Sequence, residues 1–247
     1  MALTLYNFPR STCSQKVRLV LWEKGIPFED RIVDNRNKEH LGEAYLKLNP
    51  NGVVPTLVHD GAVIIDSSVI MEYLEELFPD PPMGMDDPVG RAHLRKWLRY
   101  FEEVPTPAIR VPSFNLFLVK HYAKWSDEDY RRMADSHPIR RHFYHRLGKT
   151  QFSEQETRES MDRLDQTLAR MANALSDGRP WLMGERLTIA DACVMPTIDR
   201  MRDLGFETMW SKDRPHVTDW YARYRERDAF KKTYYEGSRF SDSVAAA

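Results

Sequence analysis

The sequence predicts two domains of different class. An α/β domain with a mixed sheet is expected over residues 1–80 and an all-α helical bundle over residues 89–247, joined by a linker at 81–88. Three observations point there. Short β-branched or aromatic runs alternate with amphipathic helical patterns in the first 80 residues. Pro79, Pro81, Pro82 and Pro88 crowd around Gly84, punctuating the chain. Beyond them the apolar spacing is helical, and the charge balance turns over: 8 Lys and Arg against 12 Asp and Glu before residue 81, and 28 against 25 after it.

Taken in order, residues 3–8 read as a first strand closed by Pro9. Residues 14–24 read as a helix with Val17, Val20 and Leu21 on one face and Gly25 just beyond its end. Residues 28–33 read as a second strand, and a strand–helix–strand unit implies parallel pairing. Residues 35–48 are polar, a loop with a short helix. Asn49-Pro50-Asn51-Gly52 is a turn cluster. A third strand follows over residues 53–58, where Pro55 keeps Val54 extended and removes one donor. His59-Asp60-Gly61 turns the chain into a fourth strand at residues 62–65. Asp66-Ser67-Ser68 then caps a helix over about residues 68–77, whose apolar face holds Val69, Ile70, Tyr73, Leu74 and Leu77. This β-α-β-(α)-β-β-α order is thioredoxin-like.

In the second half, Asp87 and Pro88 suit the N-cap and first position of a helix carrying Leu94, Trp97, Leu98 and Phe101. Pro105, Pro107 and Pro112 break it. Ser126 opens a short helix. Ser153 with Glu156 makes a capping box for a long helix, and Thr188 with Asp191 makes a second box. Asp213-Arg214-Pro215 begins a further helix, and residues 238–247 read as a frayed tail.

Bulk properties narrow the classes. A hydrophobic fraction of 42% supports a sizeable core, and a net charge of −1 gives no general case for nucleic acid. No run of about 18 apolar residues suggests a membrane span, and residues 1–8 lack the start of a signal peptide. Two cysteines, Cys13 and Cys193, cannot make a disulfide framework. A cytoplasmic protein with free thiols and no metal is the expectation.

The stretch Arg10-Ser11-Thr12-Cys13-Ser14-Gln15-Lys16-Val17-Arg18 sits at the first strand–helix junction. A helix N-terminus presents unpaired N–H groups and about half a positive charge, which favours an anion such as a thiolate. The same small hydroxyls also serve as plain N-caps, and on these residues alone both readings stand.

Four features coincide along the chain: the Ser-Thr-Cys-Ser start, Asn49-Pro50 with Val54-Pro55-Thr56-Leu57, Asp66-Ser67 before a helix, and Leu187-Thr188-Ile189-Ala190-Asp191 in an all-helical second half. In this ordered set the chain resembles the cytosolic glutathione transferases, over nearly its whole length. The resemblance implies glutathione as co-substrate and a hydrophobic, aromatic-bearing second substrate. It implies a cis peptide at Pro55, with the Val54 backbone pairing to the cysteinyl part of glutathione. Asp66 and Ser67 would hold the γ-glutamyl amine and carboxylate, and His40, with Lys38 nearby, would lie toward the glycyl carboxylate. Asp191 with Thr188 would be structural, and Cys193 a core thiol. Members of the family are usually dimers, so a homodimer, or a heterodimer with a paralogue, is implied.

The catalytic residue divides the resemblance. The Arg-Ser-Thr-Cys-Ser-x-x-Val-Arg pattern is similar to the zeta class, including maleylacetoacetate isomerase, where Ser11 would act beside Cys13. It is also similar to bacterial tetrachlorohydroquinone dehalogenase, which would make Cys13 a nucleophile with Ser11 helping. The bacterial β-etherases that cleave aryl ethers would put the key serine at Ser14. Residues 113–150 form an extra stretch whose Trp125, His137-Pro138-Ile139-Arg140 and Phe152-Ser153 resemble the β-etherase insertion, favouring cleavage of a β-aryl ether. Its Phe114, Phe117, Tyr122, Trp125, Tyr130, Phe143 and Tyr144 are candidates to wall an aromatic pocket. Arg140, Arg141, His142, His145, Arg146 and Lys149 form a basic run that reads as a solvated face, with an anionic-substrate role as the lesser alternative. Lys16 stands where a Cys-x-x-Cys motif would have its second cysteine. A non-catalytic glutathione-binding subunit is the alternative from another class.

Overall fold

The structure, a computed structural model, describes residues 2–35 and 37–243. Four strands form one mixed sheet: β1 (Leu3–Asn7), β2 (Glu29–Ile32), β3 (Thr56–His59) and β4 (Ala62–Ile65), in the spatial order β2-β1-β3-β4. β1 and β2 pair in parallel across the expected crossover, while β1–β3 and β3–β4 are antiparallel. Helix α1 (Thr12–Glu23) crosses between β1 and β2, α2 (Glu43–Leu48) precedes the turn cluster, and α3 (Ser67–Leu77) follows β4. This is the thioredoxin-like α/β domain the sequence predicts.

The helical domain starts with α4 (Pro88–Glu103), N-capped by Asp87, whose side chain accepts from the Gly90 N–H at 2.9 Å. The three prolines split the next segment into α5 (Pro105–Ala108) and α6 (Arg110–Ser113), and a π turn leads into α7 (Val119–Tyr122). There follow α8 (Asp127–Asp135), α9 (Arg141–Leu147), α10 (Glu154–Ala174), α11 (Ile189–Asp203), α12 (Thr208–Ser211), α13 (Pro215–Arg225) and α14 (Asp228–Thr233). Both expected capping boxes form.

One core spans both domains. α1 packs against α3 on one side and against α11 and α14 on the other. Leu5, Val17, Val20, Leu57, Leu74, Phe101, Leu168, Val194 and Trp220 all belong to it. Lys16 of α1 is fully buried and reaches Glu102 of α4 at 2.6 Å and the Thr106 hydroxyl at 3.0 Å. Such a buried cation is tolerable only when paired, so this contact fixes how the two domains meet. Asp191 is buried at the heart of the helical domain. Its carboxylate accepts from the Leu182 and Thr188 N–H groups, the Thr188 hydroxyl and the Trp220 indole N–H, at 2.9–3.0 Å. Its role is structural.

Three expectations need correction. α1 begins at Thr12 and not Ser14, because Ser11 supplies the cap. β3 begins at Thr56 and not Val53, since Pro55 brings no N–H to the ladder. Of the expected frayed tail, residues 244–247 lie outside the described residues, but residues 238–240 are docked. Arg239 donates two hydrogen bonds to Asp199 at 2.9 Å, the Phe240 N–H reaches Asp203 at 2.9 Å, and the Phe240 ring stacks on Phe117. Among the described residues, no helix is long and apolar enough to cross a membrane.

Candidate active site

The sheet register brings three distant stretches to one edge. Tyr6 pairs with Thr56, and Thr56 with Ile65. The chain leaving β1 toward Cys13, the chain entering β3 through Val54 and Pro55, and the chain leaving β4 through Asp66 and Ser67 therefore emerge past the same rung.

At the first of these, Ser11 is extended, with φ −78° and ψ 118°, and its hydroxyl accepts from the Ser14 N–H at 3.3 Å. Ser14 is fully buried, and its hydroxyl accepts from the Phe8 N–H at 3.2 Å. Ser11, Thr12 and Cys13 line a cavity between the domains; Ser14 does not. The half-buried Cys13 thus stands in the first turn of α1 with its side chain on the cavity. Cys193 is buried, its thiol 3.8 Å from Glu102, and burial pushes that thiol well up.

At the second stretch, the Val54–Pro55 peptide is cis. Val53 is pinned through its carbonyl, which accepts from the Tyr45 hydroxyl and the Asn49 amide, both at 2.8 Å. Val53 and Val54 line the cavity; Pro55 is buried behind them. Gly52 has φ +59°, and a Cβ there would meet Pro138 of the opposite domain at 2.9 Å. Only glycine lets the two domains close at this point.

At the third, Asp66 is held at φ +73°, unusual for a residue with a side chain. Its Oδ1 accepts from the Ser68 N–H, the Ser68 hydroxyl and the Val69 N–H at 2.7–3.2 Å. Ser67 is the first residue of α3, buried, and its hydroxyl has no partner among the described residues. Asp66 and Ser67 lie outside the cavity lining, one strand over from it.

The opposite wall comes from the 113–150 stretch and its neighbours. Phe114, Tyr122 and Tyr144 line the cavity. Tyr130 and Phe143 instead pack with Met133 and Leu147 in a small core of their own, beside Trp125, while Phe117 is taken by Phe240. His40 lines the cavity with its ring 5.7 Å from that of His137. Burial, then the charges of His137, Arg140 and Lys38, push the His40 imidazole down to about 4, so it is neutral near pH 7, and its buried Nδ1 has no partner. His137 is also pushed down by burial, and its Nδ1 donates to the Met133 carbonyl at 2.7 Å. Lys38 does not face the cavity. Its Nζ sits 4.6 Å over the Trp125 ring, clasping the insertion from the sheet domain.

Several cavity residues were not singled out by sequence reasoning as site residues, Arg110, Arg200 and Phe240 among them. Arg140 was read as part of a solvated basic face. Its neighbours in that run do pair outward: Arg141 and His145 with Asp135, Arg146 with Glu156, and Lys149 with Asp127. Nothing in the local pattern separates Arg140 from them. Among the described residues no cluster of three or more His, Cys, Asp or Glu side chains is placed to hold a metal ion.

The family model for the glutathione S-transferase N-terminal domain matches residues 10–77, and that for the C-terminal domain matches residues 154–223. The chain belongs to the glutathione S-transferase family. Protein LigF of Sphingobium sp. (strain NBRC 103272 / SYK-6) is 28% identical over 246 residues, covering 97% of this chain and 95% of LigF. The crystal structure of β-etherase LigF superposes with a TM-score of 0.86 over 94% of this chain and 98% of that one. The glutathione S-transferase TCHQD of Arabidopsis thaliana is 26% identical over 249 residues, covering 96% and 92%. The family uses glutathione as co-substrate and binds hydrophobic second substrates.

Proposed function

We propose that this glutathione transferase cleaves β-aryl ethers, with the glutathione sulfur at the first turn of α1 and the aromatic substrate against Phe114, Tyr122 and Tyr144. The observation that carries the reading is that Ser11, Cys13 and Val54 open onto the same cavity as those three rings. The full-length likeness to LigF supports the same chemistry.

In this reading the Ser67 hydroxyl and the Ser67 N–H, at the start of α3, take the γ-glutamyl carboxylate. Asp66 keeps Oδ2 for the ammonium, since its three internal bonds all go to Oδ1. Val54, ahead of Pro55, pairs with the cysteinyl backbone, and neutral His40 offers a hydrogen bond to the glycyl end. Ser11 or Cys13 donates to the sulfur and, with the helix terminus, favours its thiolate. Ser14, buried against the Phe8 N–H, positions the turn. The thiolate attacks the ether-bearing carbon, the phenolate leaves, and a thioether forms. Exposed Val69 on α3 and Val89 on α4 suit a homodimer of a cytoplasmic enzyme, which sedimentation velocity tests as twice 29.0 kDa.

A second reading has a specific observation behind it. Cys13 lines the cavity while Cys193 is sealed away, so Cys13 itself is placed to exchange with a glutathione adduct, as in a dehalogenase or thioltransferase. Incubation with glutathione and an aryl ether, a halohydroquinone or maleylacetoacetate, followed by mass-spectrometric product analysis, separates the two. The first reading expects thioether and phenol from the ether, with activity surviving Cys13→Ala in part. Ether inert and halohydroquinone consumed, with all activity lost in Cys13→Ala, supports the second. Glutathione binding with no turnover would make the chain a binding subunit.

A further inference from the structure

Two guanidiniums in the cavity wall have no role in the proposal so far. Arg110 begins α6 and Arg140 immediately precedes α9, thirty positions apart, yet both line the cavity above Cys13. Both are half-buried. Neither guanidinium has a carboxylate partner or a hydrogen bond among the described residues. Arg200, also in the lining, differs: it pairs with Asp203 at 3.4 Å, donates to the Arg10 carbonyl at 2.6 Å and lies over the Phe240 ring.

The rest of the lining contains no Asp and no Glu among the described residues. His40 and His137 are neutral there, so the excess of positive charge belongs to the arginines. Burial, and after it the charge of Arg110, pushes the Arg140 guanidinium down. Two like charges facing one partly desolvated space are unfavourable unless an anion joins them. Burial also pushes the Tyr122 and Tyr144 phenols up, so they stay protonated and add neutral hydroxyls to the same wall. Guanidinium is planar and presents paired donors, the geometry a carboxylate accepts in a bidentate fashion.

We propose that Arg110 and Arg140 together bind a carboxylate on the electrophilic substrate, so that the preferred substrate is an aromatic acid rather than a neutral aromatic. This rests on the cavity being the substrate side of a glutathione site. The arginines come from α6 and the approach to α9, on the aromatic wall, not from the stretches around Val54 and Ser67 that would take the tripeptide. Sequence reading favoured a solvated face for Arg140 over an anionic-substrate role; its lack of a carboxylate partner, unlike Arg141 and Arg146, sets it apart.

The test is calorimetric titration of the full chain, saturated with S-methylglutathione, with cinnamate and with its neutral counterpart cinnamamide. Binding of S-methylglutathione is measured first, in the same cell. Its absence would sink the glutathione reading and is seen separately. The proposal expects cinnamate to bind at least about tenfold more tightly than cinnamamide, as the loss of one charge-assisted pair implies. Arg110→Gln and Arg140→Gln should each erase that preference while leaving S-methylglutathione affinity unchanged, and Arg141→Gln should leave both unchanged. Equal affinity for acid and amide would overturn the proposal. So would a preference that survives both variants, or arginine variants that weaken S-methylglutathione instead, which would assign the pair to the tripeptide's own carboxylate.

Discussion

The floor and the wall of the cavity are built by different means. The floor is made of backbone and short side chains: the first turn of α1 and the turn at Val54, continued beyond the cavity by the first turn of α3, all aligned by the rung Tyr6–Thr56–Ile65. The wall is made of long side chains, aromatic, imidazole and guanidinium, carried on short helices with a small core of their own. A floor set by sheet register holds one ligand in one pose and has little to vary. A wall of long side chains can change its chemistry without disturbing the sheet. In the proposed function glutathione lies on the floor and specificity comes from the wall, and substitutions in each should separate accordingly.

The largest effect is expected beneath both. Asp191→Ala strands four buried donors at once and should cost about 3 kcal/mol or more of stability, read as a fall in the urea midpoint. Floor and wall should fail together in that variant. On the floor, Ser67→Ala should raise KM for glutathione about 10- to 100-fold, the worth of a hydrogen bond to a charged group, with KM for the electrophile unchanged. On the wall, Phe114→Ala removes a ring that meets Phe143 and Tyr144 edge to face. It should raise KM for an aromatic electrophile several-fold, leave KM for glutathione alone, and so show the opposite pattern to Ser67→Ala in the same kinetic matrix.

The smallest effect is a pH dependence at His40, a residue of the sheet domain that meets the wall at His137. Folded His40 holds a proton only below about 4, whereas an unfolded imidazole does so below about 6.5. Between those values the unfolded chain binds more protons, so this contribution to stability is present above about pH 6.5 and is lost as pH falls toward 4. Hydrogen exchange should show residues 113–150 loosening first on acidification, and His40→Gln should flatten that response. Uniform loosening of the sheet instead would mean that floor and wall are not separable.

Much of the fold could be read from the sequence because its signals are local. The capping boxes at Ser153 and Thr188, Asp87 before Pro88, and the His59-Asp60-Gly61 turn each act within a few residues. The errors came where residues of equal local merit compete or where partners are distant. Ser11 and Ser14 are both able to cap α1, and only the Phe8 N–H decides that Ser14 turns inward. Residues 238–240 look free until Asp199 and Asp203 are placed beside them. Arg110 and Arg140, thirty positions apart, reach one cavity with Cys13 only in the folded chain.

The central claim is that the floor generates a thiolate at the N-terminus of α1. Ultraviolet difference absorption of glutathione bound to the Cys13→Ser protein, followed across pH, measures it most directly. The bound thiol should titrate at least about one unit below free glutathione, near the range of an ordinary thiol minus a helix-terminus effect, and Ser11→Ala should move it back upward. Titration of bound and free glutathione at the same pH would contradict the account.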